Sequence, residues 1–528
     1  MSANTSEIVL KPEDLYAGYD ARKVILNKTK DAITLDPRIF QYTREKKGWI
    51  ITDPIPLIPV QNGLGMPGTI EKADVEVLAD VPDGANVTVE VRSGVNSLEE
   101  TGWTDWQQIT GLKSSIPVEG RYLQIRVTLS ANTAEKLPVI KQITIRPSLK
   151  NTYSWKKSPK IIESDICKII RSPITFYYER PDHPKLKAFR EKAKLDELIA
   201  SCKTDFEALV KLQNWIASVA NERPADLAKP FYPWDIDKLV KWREDKPVIL
   251  GHCMSYAAVM VDSASSLGYK ARHIAVLGFR EMSHEVVEAW VPSLRKWVFF
   301  DPSLANYYCD KETGKAMNVL EIHNLIINKI LYDDKDMTWF ISRSNQETRD
   351  RVKKVGPKQL IEAKLGGWMY GNPMPANYDW GWQHGFLAHG FFQMTPRNDF
   401  YSNTNAVSKK FQSYPGYSNY PNWVDEKTPP RKGGENWFTR ARDFYWTVDE
   451  ASFVLVQDSQ EGVLEVEMGH CMPFFAKYEI KIDEKITTPQ VQNSIFKWEL
   501  KNGKNRIEIT PVDEYGKKGQ GSFAVIEY

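Results

Sequence analysis

One stretch limits the possible folds of this chain more than any other: a short segment in which a cysteine opens an apolar helix. The run GHCMSYA at residues 251–257 continues into apolar residues and stops before Gly268, and a glycine commonly follows the last helical residue. Cys253 is therefore predicted in the first turn of a helix, where the dipole and the unpaired N–H groups favour an anion. A thiol in that position loses its proton more easily, and the thiolate is the nucleophilic form.

Two strand patterns, residues 284–291 and 297–301, follow this helix and are separated by a turn that begins with proline. In such a hairpin His284 and Asp301 both lie at the end away from the turn. Alternate residues of a strand share a face, so these two side chains are predicted to lie on the same face. If the helix of Cys253 packs on that face, the three side chains can act as nucleophile, base and base-orienting group.

These motifs together resemble the transglutaminase-like superfamily. The resemblance rests on Gly-x-Cys at the helix start, on LGYKAR after the helix, on His284 with Glu288, and on WVxxDP at the second strand. It covers roughly residues 160–345. The resemblance implies a papain-like core whose catalytic positions fall on Cys253, His284 and Asp301.

The chemistry that the resemblance implies is acyl transfer through a thioester on Cys253. Water as acceptor makes the enzyme a peptidase or amidase, and an amine as acceptor makes it a cross-linking transglutaminase. Cleavage of glycopeptides at the side-chain amide is a related alternative. We expect hydrolysis, because nothing in the sequence suggests the calcium sites of animal cross-linking enzymes. Bacterial-type relatives with accessory sandwiches are also commonly described as cysteine proteases. No cofactor and no metal site are expected.

A hypothesis of a different class is a carbohydrate- or peptide-binding protein whose core is catalytically silent, since a fold does not imply a function. A cysteine in an apolar helix is most often a small buried hydrophobic residue. The 17 Trp and 23 Tyr residues are many for this length, and such an excess can accompany flat-faced binding of sugars or peptides. Replacing Cys253 by Ala separates the two hypotheses, because turnover vanishes only if the core is catalytic.

Two further residues are predicted to support the chemistry. A papain-like site needs an oxyanion donor besides the N–H group of the nucleophile, and the indole of Trp234 or Trp242 could supply it. Glu288 either supports the site from behind the catalytic residues or pairs with Arg272.

Five residues are predicted to contact substrate. Three of them flank the predicted catalytic positions in sequence, and two lie in an irregular aromatic-rich segment that could form one wall of the cleft. The alternative for that segment is packing between domains. The five residues are His252, Tyr256, Trp290, Trp380 and Trp382.

The order of patterns predicts an α+β chain in which the transglutaminase-like core is flanked by two antiparallel β-sandwiches. The first sandwich shows strict alternation, and its Trp103–Trp106 segment loosely resembles galactose-binding-like accessory domains; the last is immunoglobulin-like. The expected segments are a lead-in over 1–65, a sandwich over 66–148, the core over 149–345, the aromatic-rich segment over 346–440 and a sandwich over 441–528.

Composition limits the partners. A net charge of +2 gives no electrostatic case for nucleic acid, and no stretch approaches the 18 or more apolar residues of a membrane span. The five cysteines include no CxxC pair that would suggest zinc. We therefore expect a protein, peptide or glycopeptide substrate, with carbohydrate as a further ligand. The N-terminus has no apolar signal core, which leaves two alternatives: a periplasmic or extracellular protein if a signal peptide has been removed, and otherwise a cytoplasmic one.

Overall fold

The computed structural model describes residues 7–29, 31–99, 101–222, 234–277, 283–310, 313–329, 365–369, 372–373, 391–403, 420–425, 430, 436–487 and 494–528. The chain forms two compact units. One unit joins Met1–Pro173 to Trp446–Tyr528, and the other is the continuous segment Ile174–Tyr445.

The N-terminal part of the first unit is a sandwich of two six-stranded sheets. One sheet has the order β12-β9-β14-β4-β3 with β1 on β14, and the other β11-β10-β13-β5-β2 with β6 on β13. The elements are β1 (Ile8–Leu10), α1 (Pro12–Tyr16), β2 (Asp20–Arg22), β3 (Val24–Asn27), β4 (Ala32–Leu35), α2 (Ile39–Tyr42), β5 (Lys47–Ile51), β6 (Ile55–Pro56), β7 (Val60–Gln61), β8 (Leu64–Gly65), β9 (Gly68–Asp80), β10 (Ala85–Gly94), β11 (Gln107–Gln108), β12 (Lys113–Pro117), β13 (Tyr122–Ala131), β14 (Val139–Thr152) and β15 (Lys160–Asp165).

Alternation explains this sandwich. Val89 pairs with Val127 and Val91 with Ile125 across β10 and β13, and all four side chains are buried between the sheets. The structure differs from the expectation of a separate lead-in, because strands before residue 65 complete both sheets. Such pairings as Ile8 with Ile145 are long-range, so local alternation cannot reveal them.

The second unit holds the central core. Its main sheet is six-stranded, with the order β21-β20-β19-β25-β26-β27, and two three-stranded sheets, β16-β18-β17 and β22-β23-β24, accompany it. The elements are α3 (Pro184–Lys192), α4 (Leu195–Ile199), α5 (Asp205–Ser218), β16 (Ala220–Glu222), α6 (Ile236–Leu239), β17 (Val240–Arg243), β18 (Lys246–Leu250), α7 (Cys253–Ser266), β19 (Ala271–Leu277), β20 (Ser283–Val291), β21 (Lys296–Phe300), β22 (Asn306–Asp310), α8 (Val319–Lys329), β23 (Leu365–Met369), β24 (Asn372–Pro373), β25 (Phe391–Met394), β26 (Asn422–Val424), β27 (Trp437–Phe438) and α9 (Ala441–Phe444).

Local signals account for the helices of this unit. Thr204 caps α5, because its hydroxyl accepts the N–H of Glu207 at 3.1 Å. Gly268, with φ of +81°, follows the end of α7, where its left-handed conformation suits glycine. One described part of the aromatic-rich segment extends the main sheet, since β25 pairs with β19, whereas β23 and β24 of the same segment join β22 in a separate sheet.

The C-terminal part of the first unit is a second sandwich with five strands in each sheet. Its sheets have the orders β15-β34-β33-β30-β31 and β32-β29-β28-β8-β7, so strands from both ends of the chain contribute. Its core holds Phe453, Val466 and Trp498. The remaining strands are β28 (Ala451–Gln457), β29 (Val463–His470), β30 (Phe475–Ile482), β31 (Lys485–Thr487), β32 (Ile495–Glu499), β33 (Lys504–Asp513) and β34 (Ser522–Glu527).

The prediction of an α+β core flanked by antiparallel sandwiches is confirmed. Within the described ranges, no helix combines the length and apolar character needed to cross a bilayer.

Candidate active site

The thiol of Cys253 sits at a junction between a strand and a helix. Strand β18 ends at Leu250, Gly251 turns the chain with φ of +112°, and α7 begins at Cys253. A positive φ of that size favours glycine. His252 is the extended N-cap residue. Cys253 is therefore the first helical residue, at the positive end of the helix dipole.

The helix behind the thiol is held rigidly. Every residue of α7 from Met254 to Ser266 is buried, whereas Cys253 keeps partial exposure. The apolar side of the helix shares one core cluster with Val287, Ala289 and Val298 of the main sheet. Packing thus holds the thiol of Cys253 at an end of the helix that solvent can reach.

The structure brings His284 and Asp301 together. The Nε2 atom of His284 lies 2.6 Å from Oδ2 of Asp301, and both side chains are buried. The other carboxylate oxygen, Oδ1, accepts the backbone N–H of Ser303 at 3.0 Å. With both carboxylate oxygens engaged, Asp301 holds the ring of His284 through Nε2 and leaves Nδ1 for another partner.

Electrostatics favour a thiolate on Cys253. Burial alone would raise the pKa of this thiol, but hydrogen bonds to His252 and His284 and the charge of His284 outweigh burial and lower the pKa to about 7. The Nδ1 atom of His252 lies 3.8 Å from the sulfur. The nearby carboxylate of Glu285 acts in the opposite direction.

The pKa of the His284 imidazole is raised, whereas that of the thiol is lowered. Burial favours its neutral form, but the charge and hydrogen bond of Asp301, with a smaller effect of Cys253, raise its pKa to about 10. The thiol thus loses its proton at a lower pH than the imidazolium does. Between pH values of about 7 and about 10, Cys253 is therefore a thiolate beside the imidazolium of His284. That ion pair is the reactive state of a cysteine nucleophile.

Helix α7 packs on the face of the sheet opposite to the one that the sequence suggested. Val287 and Ala289 of β20 contact the core of the helix, and they alternate with Glu288 and Trp290 on the other face. His284 still interacts with the thiol. The condition that α7 packs on the face of β20 that carries Glu288 and Trp290 is therefore not met.

Glu288 pairs with Arg272, which was the second of the two alternatives for this residue. The Nη2 atom of Arg272 lies 2.7 Å from Oε2 of Glu288, and both side chains are fully buried. The other oxygen of Glu288 accepts the N–H of Val319 at 2.8 Å and the hydroxyl of Tyr445 at 2.9 Å. The guanidinium of Arg272 also lies 4.1 Å from the ring of Trp297. Glu288 thus anchors the face of the sheet that α7 does not cover.

The indole of Trp234 is hydrogen-bonded to a residue other than Cys253. Its Nε1–H donates to Oδ1 of Asp262 at 2.9 Å, and its ring stacks on Phe400 at 4.9 Å. Trp242 packs at the edge of the core beside Phe189, with ring centroids 6.2 Å apart. In this conformation the N–H of Trp234 is not available to an oxyanion.

The predicted substrate contacts divide into three groups. His252 is half-buried and lies beside the thiol. Tyr256 and Trp290 are both buried: Tyr256 is part of α7, and Trp290 lies edge-on to Trp297 with ring centroids 6.0 Å apart. Their positions within apolar helix and strand patterns make burial the better expectation. Trp380 and Trp382 lie outside the described residues.

Several buried polar residues near the site were not anticipated. Glu285 pairs with His273 at 2.8 Å, and both are buried. Asp262 of α7 accepts the hydroxyl of Tyr401 at 2.6 Å, in addition to the indole of Trp234. An aspartate in the middle of an otherwise apolar helix is the sequence signal that could have revealed this second contact.

The described residues contain no cluster of three or more His, Cys, Asp or Glu side chains that could hold a metal ion. All five cysteines lie within the described residues, and none of them forms a disulfide bond. The side chains that meet at the candidate site are a thiol, two imidazoles and a carboxylate.

A thiol at the start of a buried helix, next to a buried His–Asp pair on an antiparallel sheet, defines a papain-like class of α+β domain. Residues 192–302 form a domain of the transglutaminase-like superfamily, whose core family model matches there and spans Cys253, His284 and Asp301.

Other comparisons are distant. No match was found among curated proteins. Red sea bream transglutaminase is 9% identical, with 86% of this chain and 79% of that chain covered and a TM-score of 0.18. A putative protease from Parabacteroides distasonis is 9% identical, with 51% and 67% covered and a TM-score of 0.14. A low-affinity xylan-binding module from Roseburia intestinalis is 11% identical, with 27% and 96% covered and a TM-score of 0.17. We infer no activity from these three structures.

Proposed function

We propose that the unit Ile174–Tyr445 is a cysteine hydrolase that cleaves an amide bond through a thioester on Cys253. The observation that carries this proposal is the position of a partly exposed thiol at the start of α7, beside the buried His284–Asp301 pair. The superfamily match at residues 192–302 supports it, because that match contains all three residues.

In the proposed reaction the thiolate of Cys253 attacks the amide carbonyl and a C–S bond forms. The C–N bond then breaks, and the imidazolium of His284 gives its proton to the leaving amine. The neutral His284 next takes a proton from water, whose oxygen attacks the thioester. The acid leaves and the thiolate is regenerated. Asp301 keeps the ring oriented and stabilises its positive form throughout.

The test is a turnover assay on the full chain with a pool of fluorogenic peptide and glycopeptide amides. Hydrolysis by the wild type that disappears in Cys253→Ala, with trapping of an acyl adduct on Cys253 by intact-mass measurement, is the expected result. Cys202→Ala is the matched control, because it removes another partly exposed thiol and should leave turnover unchanged.

The same assay separates the alternatives. A fluorescent primary amine added to the reaction becomes incorporated into the acyl product if the protein is a cross-linking transglutaminase. Release of free acid alone identifies a hydrolase, and selective cleavage of the glycopeptides identifies a glycopeptide amidase. Equal binding by wild type and Cys253→Ala with no turnover in either would contradict the proposal and favour a silent binding protein.

A further inference from the structure

The proposed thioester chemistry needs a second oxyanion donor, and Trp234, one of the two expected candidates, is engaged elsewhere. A tetrahedral intermediate on Cys253 carries a negative oxygen, which hydrogen-bond donors must stabilise. The backbone N–H of Cys253 is one such donor, because the first N–H groups of a helix have no partner within it. The indole N–H of Trp234, by contrast, is already donated to Asp262.

Strand β16 ends beside the turn that carries the nucleophile. It runs parallel to β18, with Asn221 opposite Ile249. The ladder continues beyond the strands, since the N–H of Gly251 donates to the carbonyl of Glu222 at 3.1 Å. The side chain of Asn221 also links β16 to this turn, because its Nδ2 donates to the carbonyl of Gly251 at 3.1 Å.

This bond uses only half of the donor capacity of the amide. An asparagine side chain carries two N–H donors, and the described residues supply an acceptor for one of them. Asn221 is also solvent-exposed, so a substrate atom can approach it. Gly251 is two residues before Cys253, which limits their Cα separation to about 7.6 Å.

Two backbone donors lie in the helix turn that follows Gly251. The N–H groups of Cys253 and Met254 have no acceptor among the described residues, whereas the next two, of Ser255 and Tyr256, bond the carbonyl of His252. An amide held at the mouth of this turn adds a side-chain donor to them. The group is uncharged, so it can stabilise an oxyanion with little effect on the ionisation of the thiol.

We propose that Asn221 is a catalytic residue. Its second amide hydrogen is donated to the oxyanion that forms on the substrate carbonyl when Cys253 attacks it. This inference rests on the proposed function. When the thiolate attacks, the carbonyl π electrons move to oxygen, and the Asn221 and Cys253 N–H groups bind that oxygen. When the C–N bond breaks, the electrons return and the leaving amine takes its proton from His284.

The experiment compares two reactions of the same thiol in the full chain. Hydrolysis of p-nitrophenyl acetate passes through an oxyanion, whereas alkylation by iodoacetamide displaces iodide at carbon and needs none. For Asn221→Ala we expect kcat/KM on the ester to fall about 10²- to 10³-fold. The rate and pH dependence of Cys253 alkylation should stay within twofold of the wild type.

Two further variants complete the test. Asn221→Asp keeps the size of the side chain but has no N–H to donate, so its ester turnover should fall at least as much as that of Asn221→Ala. Because the side-chain size is kept, this variant should fold even if Asn221→Ala does not. Arg243→Gln is the control, because it removes the exposed ion pair at 2.5 Å between Arg243 of β17 and Glu222, which follows Asn221 on β16, and leaves the amide in place. It should keep wild-type ester turnover.

The outcomes are distinguishable. Ester turnover that is equal in wild type and Cys253→Ala overturns the proposed function, and this inference with it. Turnover that needs Cys253 but survives within threefold in both Asn221 variants overturns the inference alone. Parallel loss of turnover and of alkylation also overturns it, because Asn221 would then only hold the thiol in place.

Discussion

The carboxylate of Asp301 lies 2.6 Å from the Nε2 atom of His284, and both groups are withdrawn from solvent. This contact raises the pKa of His284 to about 10 despite burial. It is therefore the source of the positive charge beside Cys253. The thiolate depends on Asp301 even though the carboxylate contacts the ring on the side away from Nδ1.

Asp301→Asn tests that dependence. Removing the charge should lower the pKa of His284 and so raise the pKa of Cys253, because the imidazolium is no longer stabilised. We expect kcat/KM in the amide assay to fall by about 10²- to 10⁴-fold. Asp196→Asn, which removes an exposed ion pair to Arg190, is the control and should keep full activity. An Asp301→Asn enzyme with wild-type turnover would show that the pair is structural.

His252→Ala tests the second imidazole beside the sulfur. The loss of its hydrogen bond should raise the pKa of Cys253 above about 7. A loss of about 1 kcal/mol corresponds to about 0.7 pKa units and should slow alkylation at pH 7 by roughly 3-fold, through the smaller thiolate fraction. The side chain of His252 makes no cap hydrogen bond, so His252→Asn introduces a favoured N-cap residue and separates the effect on the thiol from an effect on the start of the helix. Equal alkylation profiles for wild type and His252→Ala would show that only His284 matters.

Arg272→Met tests the buried ion pair on the opposite face of the sheet. The variant leaves the carboxylate of Glu288 buried without its cation, so the free energy of unfolding should fall by about 3–5 kcal/mol. Urea denaturation followed by tryptophan fluorescence measures the change. The double variant with Glu288→Gln should recover part of the loss, because no uncompensated charge remains. A double variant no more stable than Arg272→Met would contradict this account.

Asp262→Asn tests a buried carboxyl group whose pKa burial raises to about 7, against partly opposing hydrogen bonds from Tyr401 and Trp234. The folded pKa lies above the unfolded one, so protonation stabilises the fold at low pH, and that contribution is lost as the pH rises through about 7. Between pH 4 and pH 8, the free energy of unfolding of the wild type should therefore fall by about 2–4 kcal/mol relative to that of Asp262→Asn. Asp237→Asn, at an exposed carboxylate, should show no such trend. If the difference in the free energy of unfolding between wild type and Asp262→Asn did not change with pH, the raised pKa of Asp262 would be refuted.

The elements around the thiol could be predicted because their signals are local. The turn at Gly251, the cap at Thr204 and the stop at Gly268 each lie within a few residues of the helix end that they define. The order of Cys253 and His284 along the chain then follows from the motif.

The face on which α7 packs could not be predicted, because β20 is buried on both sides. Val287 and Trp290 lie on opposite faces, and neither is more than 3% exposed. Strands that are covered on both faces give no polarity signal from alternation. The partners of Trp234 and Asn221 were also out of reach, since each depends on a contact between elements far apart in sequence.

The most direct test of the account is the rate of Cys253 alkylation by iodoacetamide against pH, read by peptide mass spectrometry in wild type and His284→Ala. Cys202, partly exposed on the same chain, is an internal reference thiol in every sample. The account predicts half-maximal labelling of Cys253 near pH 7 in the wild type and a shift to the range of an unpaired thiol, about 8.5, in His284→Ala. Identical profiles in both proteins, with labelling that rises only near pH 8–9, would contradict the thiolate–imidazolium pair.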